Sequence, residues 1–147
     1  MNAAEYFPLI RQWAHDRMII KHGNPFTQFA KLIEECGEIK DDPLDGIGDA
    51  MVVLVIIAEQ YGIYLEEIEN KRHSGNDLLS DLGELAQVMC KSKPVFIALG
   101  TVHSQLVELA KNYGVKFEDC MNQAWSEIKN RKGKMLENGV FVKEEDL

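Results

Sequence analysis

The stretch KLIEECGEIKDDPLDGIGDAMVVLVIIA, residues 31–58, decides how the rest of the chain must be arranged. It places Glu34, Glu35 and Glu38 on one helix, breaks at Asp42-Pro43, and carries Asp45 and Asp49 into a second helix that is otherwise almost wholly apolar. At about 100° per residue, Glu35 and Glu38 lie within about 60° of each other and Glu34 sits one turn below Glu38, so the three carboxylates share a face. Leu32, Ile33, Cys36 and Ile39 fall on the flank beside it and are expected to meet a core. Asp45 and Asp49 are one turn apart, and Asp49 continues the stripe that Val52, Val53 and Ile56 carry inward.

A carboxylate taken out of water is costly unless a positive group meets it. Between Glu34 and Glu69 the sole basic residue is Lys40. The short connection at 41–44 makes the two helices antiparallel neighbours, so that carboxylates of one face those of the other. A hard divalent cation relieves that repulsion, and an all-oxygen site with room for water suits Mg²⁺ or Mn²⁺. Runs of Glu on helices are ordinarily solvated faces. Asp49, inside its apolar run, is what a solvated face does not account for.

Outward from this pair, the periodicity predicts an all-α fold, a bundle of five to six helices with the antiparallel acidic pair at its core. Residues 3–21 read as a first helix with Tyr6, Phe7, Ile10, Trp13, Ala14, Met18 and Ile19 at helical spacing. Trp13 is a core residue on this pattern or, alternatively, a platform for a ligand. Asn24 caps the next helix with Pro25 at its first position, and Gln28 and Lys31 precede the carboxylates on the same side. Lys31 lies near the angular position of Glu35, either as its partner or as a contact to a phosphate. Pro43 opens the third helix, which runs to about residue 61 before Gly62 closes it. That helix is apolar on nearly every side, as expected of the central helix of a bundle or of one buried against a partner subunit.

Residues 64–75 read as a short helix and a loop that ends in Lys71, Arg72 and His73, and no histidine has a partner at zinc-ligand spacing. Asn76 is expected to cap a helix to Cys90 with Leu78, Leu79, Leu82, Leu85, Ala86 and Met89 inward, leaving Asp77, Asp81 and Glu84 in solvent. A helix from Pro94 to about residue 113 buries a broad face that includes Val95, Ile97 and Leu99, and another spans 117–129. Lys129, Arg131, Lys132 and Lys134 follow, the sole basic cluster of note. At a helix C-terminus such charges are favourable in themselves; an alternative role is to clamp phosphates. An Asn-Gly turn and a short extended tail from about residue 135 complete a single domain, 1–147.

The net charge of −8 and pI near 5.0 argue against a binder of duplex nucleic acid, whose affinity rests on Lys and Arg. Cys36, Cys90 and Cys120 are odd in number and lack CxxC spacing, as expected of reduced thiols in a cytoplasm. No signal peptide is expected, and the most apolar run, 50–58, is too short to span a bilayer.

A helix with EExxE, a turn, and a helix opening on an acidic residue before GD and an apolar run resembles the MazG-like members of the all-α nucleoside triphosphate pyrophosphohydrolases. NQAWSEIKNRKGKMLENGVFVKE, near the end of the chain, is similar to the end of small MazG-like proteins of phages and some bacteria. Motifs and tail together cover about half the chain. The resemblance implies Mg²⁺, with Mn²⁺ as a substitute, held by Glu35, Glu38 and Asp49 against a triphosphate. Gly46 stands where the family carries a third carboxylate, and Asp45 is the substitute offered by this sequence. A glutamate restored at position 46 is expected to work there. The resemblance also implies that Trp13 borders a base pocket, that Asn122 helps hold the nucleotide, and that the site lies next to a subunit contact in a homo-oligomer, dimer or tetramer.

Two functions follow from these readings. In the first, a nucleoside or deoxynucleoside triphosphate is hydrolysed to the monophosphate and pyrophosphate in the cytoplasm, that of the host if the chain is phage-encoded. Glu34, Glu35 and Glu38 are then the catalytic carboxylates, Glu35, Glu38, Asp45 and Asp49 the metal ligands, and Gln28, Lys31, Asn122, Trp13 and the basic cluster the substrate contacts. In the second, the chain is a non-catalytic acidic bundle, a partner-binding protein or nucleic-acid mimic. Absence of GxxxxGK[ST] excludes a P-loop, and absence of Glu-x-x-His excludes a di-iron bundle.

Overall fold

The computed structural model describes residues 1–69 and 73–147, so Lys71 and Arg72 of the expected loop lie outside the described residues. These form seven helices and a two-stranded hairpin, one helix more than expected and a hairpin in place of an extended tail. The helices are α1 (Tyr6–Asp16), α2 (Ile19–His22), α3 (Pro25–Glu38), α4 (Pro43–Gln60), α5 (Leu78–Cys90), α6 (Phe96–Asn112) and α7 (Phe117–Ile128). Strands β1 (Gly133–Met135) and β2 (Phe141–Lys143) pair antiparallel, with Lys134 opposite Val142. Among the described residues no helix is long and apolar enough to cross a membrane.

The extra helix arises because the expected 3–21 helix breaks at Met18, whose φ of 64° is left-handed. That conformation costs roughly 1 kcal/mol or more for a residue with a side chain. The turn offsets it by bringing Ile19 into the core, while Met18, expected inside, is left exposed. It also lets Arg17 Nε donate to the Arg131 carbonyl at 2.6 Å.

Both helices of the acidic pair start on a side-chain cap, Asn24 as expected and Asp42 ahead of Pro43. The Asn24 side chain accepts from the amides of Phe26 and Thr27, each at 3.0 Å, and the Asp42 side chain accepts from Asp45 N at 3.2 Å, with Pro25 and Pro43 at the helix starts. These caps satisfy amides that a helix start leaves without partners. α3 and α4 then fold back on each other through the turn at 39–42 and share the most extensive contact in the chain.

α4 is the central helix, touching α1, α2, α3, α6 and α7. From Gly46 to Ala58 every residue is buried except Asp49, which is half-buried. Its apolar surface is therefore absorbed within the chain and asks for no partner subunit. Two glycines make that packing close. A Cβ at Gly46 would lie 2.8 Å from the Cα of Ile39 in the α3–α4 turn, and one at Gly48 would collide with the Cys120 carbonyl of α7. Position 46 thus faces backbone, and a glutamate there requires the Ile39 turn to shift, a cost that the expectation of a restored carboxylate did not include.

α5 departs from its expected face. Its N-cap is Asp77 rather than Asn76, accepting from Ser80 N at 2.7 Å. Leu79 is 76% exposed, as is Ile97 of α6 at 70%, while Asp81, expected in solvent, is fully buried. Asp81 accepts from Ser74 Oγ at 2.7 Å and from Gln105 Nε2 at 2.9 Å, so its polar partners, absent from the stripe pattern, come from the preceding loop and from α6. The hairpin tip is seated on the start of α3, where Thr27 Oγ donates to the Gly139 carbonyl at 3.2 Å.

Candidate active site

A cleft of about 440 Å³ opens between α1, α3, α4, α7 and the hairpin. One wall is acidic: Glu34, Glu35 and Glu38 of α3, Asp45 and Asp49 of α4, and Glu127 of α7. Asp45, Asp49 and Glu127 each offer a carboxylate oxygen, and these oxygens lie within 4.8 Å of one another. Gln123, one turn before Glu127, donates through Nε2 to Asp45 Oδ1 at 3.2 Å and to Glu127 Oε1 at 3.4 Å. Two helices, α4 and α7, therefore converge on one carboxylate cluster, and the α3 glutamates line the same cleft.

Its electrostatics are those of like charges without enough compensation. Burial, then the charges of Asp45, Glu35 and Glu127, push the Asp49 carboxyl up to about 8, with Arg131 acting in the opposite sense. Burial and the Glu38 charge raise Glu35, and burial and Asp45 raise Glu127. An oxygen-rich, partly buried cluster that resists ionisation is a fit for a hard divalent cation, whose charge would offset both the burial and the repulsion that raise these groups.

The same cleft also holds Lys31, Arg131 and Lys143. Lys31 pairs with Glu34, its neighbour in the same helix, at 3.0 Å, rather than with Glu35. At the apolar end stand Trp13, Gln28, Ile19, Val52, Val53, Ile56 and Phe141. Trp13 meets Phe141 edge-on with ring centroids 5.8 Å apart, and Arg17 lies over its indole at 5.1 Å. Being 6% exposed and lining the cleft, Trp13 is both core residue and cleft wall. Gln28, at 4% exposure, is a buried amide in otherwise apolar company.

The cleft thus brings together Trp13, Gln28, Lys31, Glu34, Glu35, Glu38, Asp45, Asp49 and Arg131 of the residues named from the sequence. Asn122, Lys129, Lys132 and Lys134 are not among its lining residues. Asn122 accepts from Tyr6 Oη at 3.1 Å and, five residues before Glu127, is turned about 140° from it on α7. The chain leaves α7 and turns into β1 after Arg131, which splits the basic run. Lys132 and Lys134 line a second, open depression with Asp16, Arg17 and His22.

Glu127, Phe141 and Lys143 escaped the sequence reading. Glu127 carried a faint signal, standing four residues after Gln123 and four before Arg131 on one side of its helix. Phe141 and Lys143 carried none, because their place depends on how the hairpin folds back.

No family model matches this chain, and no solved structure matches it. It is similar to an uncharacterized 18.2 kDa protein in the rep-hol intergenic region of Haemophilus phage HP1, 46% identical over 59 aligned residues, 35% of this chain and 36% of that protein. The match spans about a third of the relative's length.

Proposed function

We propose that the chain hydrolyses nucleoside or deoxynucleoside triphosphates to the monophosphate and pyrophosphate in a Mg²⁺-dependent reaction, as a homo-oligomer in the cytoplasm. The observation that carries this reading is the group of Asp45, Asp49 and Glu127 carboxylates, close enough to share an ion, in one cleft with the α3 glutamates, Lys31, Arg131, Lys143 and the rings of Trp13 and Phe141. Carboxylates, cations and aromatic rings match the three parts of a metal-bound nucleotide. The resemblance of the EExxE and GD-apolar motifs to MazG-like enzymes points the same way.

Asp45, Asp49 and Glu127, with Glu35 and Glu38 beside them, would hold Mg²⁺, and Mn²⁺ would serve in its place. Bound there, the ion supplies charge neutralisation to a phosphate anhydride. The remaining work falls to the chain itself. A carboxylate of the acidic wall, Glu34 or its neighbours, accepts the proton of the attacking water as its oxygen bonds to the α-phosphorus. The bond from that phosphorus to the bridging oxygen breaks, and pyrophosphate leaves with Arg131 and the lysines meeting its charge. Trp13, Phe141 and Gln28 take the base, the amide offering both a donor and an acceptor to its edge.

Pyrophosphate release from the eight common nucleoside and deoxynucleoside triphosphates tests this directly. Turnover is expected with Mg²⁺, none in excess chelator, and none from a folded Glu38→Ala protein. Release undiminished by chelator sinks the metal reading. Silence across all eight nucleotides leaves the non-catalytic acidic bundle standing instead.

A further inference from the structure

The hairpin delivers to the cleft a cation that already carries an anion of its own. Lys143, the last residue of β2, lines the cleft, and its Nζ lies 3.9 Å from Glu145 Oε1 and 3.9 Å from Asp146 Oδ2. Asp146 lines the cleft as well. The backbone enforces this fold-back, because Glu144–Asp146 form a single 3₁₀ turn whose first amide, Glu144 N, donates to the Lys132 carbonyl at 2.9 Å. Two carboxylates, Asp146 in the cleft and Glu145 outside its lining, are thereby brought to one ammonium, while the cleft's other cations are engaged differently. Lys31 is held by Glu34 within its own helix, and Arg131 acts on Asp49 and Glu127.

We propose that Glu145 and Asp146 are an internal stand-in for the phosphates of the ligand, holding Lys143 while the cleft is empty and yielding it to an incoming di- or triphosphate. The proposal rests on the phosphate-binding reading of the cleft. Both pairs are long and their members are between 39% and 64% exposed, so each is weak and readily exchanged. A phosphate group brings three acceptor oxygens and more charge than either carboxylate, and it takes the same ammonium without bending the backbone. The hairpin end is therefore a self-occupied anion site that sets ligand affinity. A merely solvated acidic tail would instead repel every anion equally, whatever stands at position 143.

Calorimetric titration of the full chain with inorganic pyrophosphate in Mg²⁺ separates the two. Glu145→Gln/Asp146→Asn is expected to tighten binding roughly three- to tenfold, and Lys143→Gln to weaken it by a similar factor. The triple variant is expected to bind like Lys143→Gln to within about twofold, with Lys143→Arg retaining most of the gain. Tightening that persists in full without Lys143, no tightening at all, or no binding by the unaltered chain each overturns the proposal. Nucleotide turnover measured on the same proteins judges the hydrolysis reading separately. Coupling without turnover sinks hydrolysis alone, and turnover without coupling sinks the stand-in alone.

Discussion

Asp49 is the residue on which sequence and site meet. Its carboxyl, pushed up to about 8 by burial and by its acidic neighbours, keeps a proton in the folded chain that it loses near its ordinary 3.8 when unfolded. Between those values the folded state binds more protons, so this residue's contribution to stability falls as pH rises from about 4 to 8. Metal-free Asp49→Asn is therefore expected to be more stable than the unaltered chain at pH 8, by roughly 1–3 kcal/mol, with no difference at pH 4. Mg²⁺ should raise the melting temperature of the unaltered chain at pH 8 and not that of the variant. Thermal melts at both pH values, with chelator and with Mg²⁺, check this; a variant less stable than its parent at pH 8 without metal contradicts it. Asp49 was legible because a charge interrupting an apolar helical run shows in one dimension. Glu127 was not, since it sits among polar residues of an ordinary amphipathic helix and becomes a partner of Asp49 once α7 packs on α4. Gly46 shows the limit of reading by motif: the missing carboxylate looked like a vacancy to be filled from the neighbouring position, whereas the backbone of Ile39 fills that space and α7 supplies the third acid.

At the scale of elements, helix starts were legible and helix faces less so. Asn24-Pro25 and Asp42-Pro43 are local chemistry, and both helices start on them. The inward face of α5 is a tertiary property, because Asp81 is buried by partners from the loop before it and from α6. Gln105 links this carboxylate to two further groups, donating through Nε2 to the Asn76 carbonyl at 2.6 Å and meeting His73 Nε2 through Oε1 at 2.7 Å. Gly75 N donates to His73 Nδ1, and the chain of bonds runs from imidazole to amide to carboxylate. α5 packs on α6 alone among the helices in extensive contact, so this network is its main polar anchor. Asp81→Ala removes the acceptor of Ser74 and of the buried Gln105 amide and is expected to destabilise the chain by about 1–3 kcal/mol. The loss should be local: hydrogen exchange is expected to accelerate in α5 and in the loop at 73–77 while α3 and α4 keep their protection. Uniform acceleration across all helices would show that α5 is not an independently anchored element.

For the whole molecule the open question is what lies against α3. The reason first offered for an oligomer, an excess of apolar surface on α4, is removed by the packing of α1, α3, α6 and α7 around that helix. A different surface takes its place. Ile33, expected in the core beside Leu32, is 43% exposed, and Phe26 one heptad earlier is 56% exposed. Ala30 and Gly37 are exposed on the same line, spaced four, three and four residues, so α3 carries an outward apolar stripe as well as the inward one formed by Leu32. Sequence could not separate the stripes, because both obey helical spacing and α4 covers one of them. An uninterrupted stripe with small residues at two of its four positions suits close, self-complementary helix packing about a two-fold axis. It runs beside Glu34 and Glu38, which would place the carboxylates of two copies next to the contact. Light scattering at micromolar concentration is expected to give at least twice the 16.7 kDa of one chain, and Ile33→Glu to return a single-chain mass with the helical signal intact. A single-chain mass for the unaltered protein refutes the oligomer; an oligomer untouched by Ile33→Glu keeps it but moves the contact away from α3, to the exposed Leu79 and Ile97 on α5 and α6.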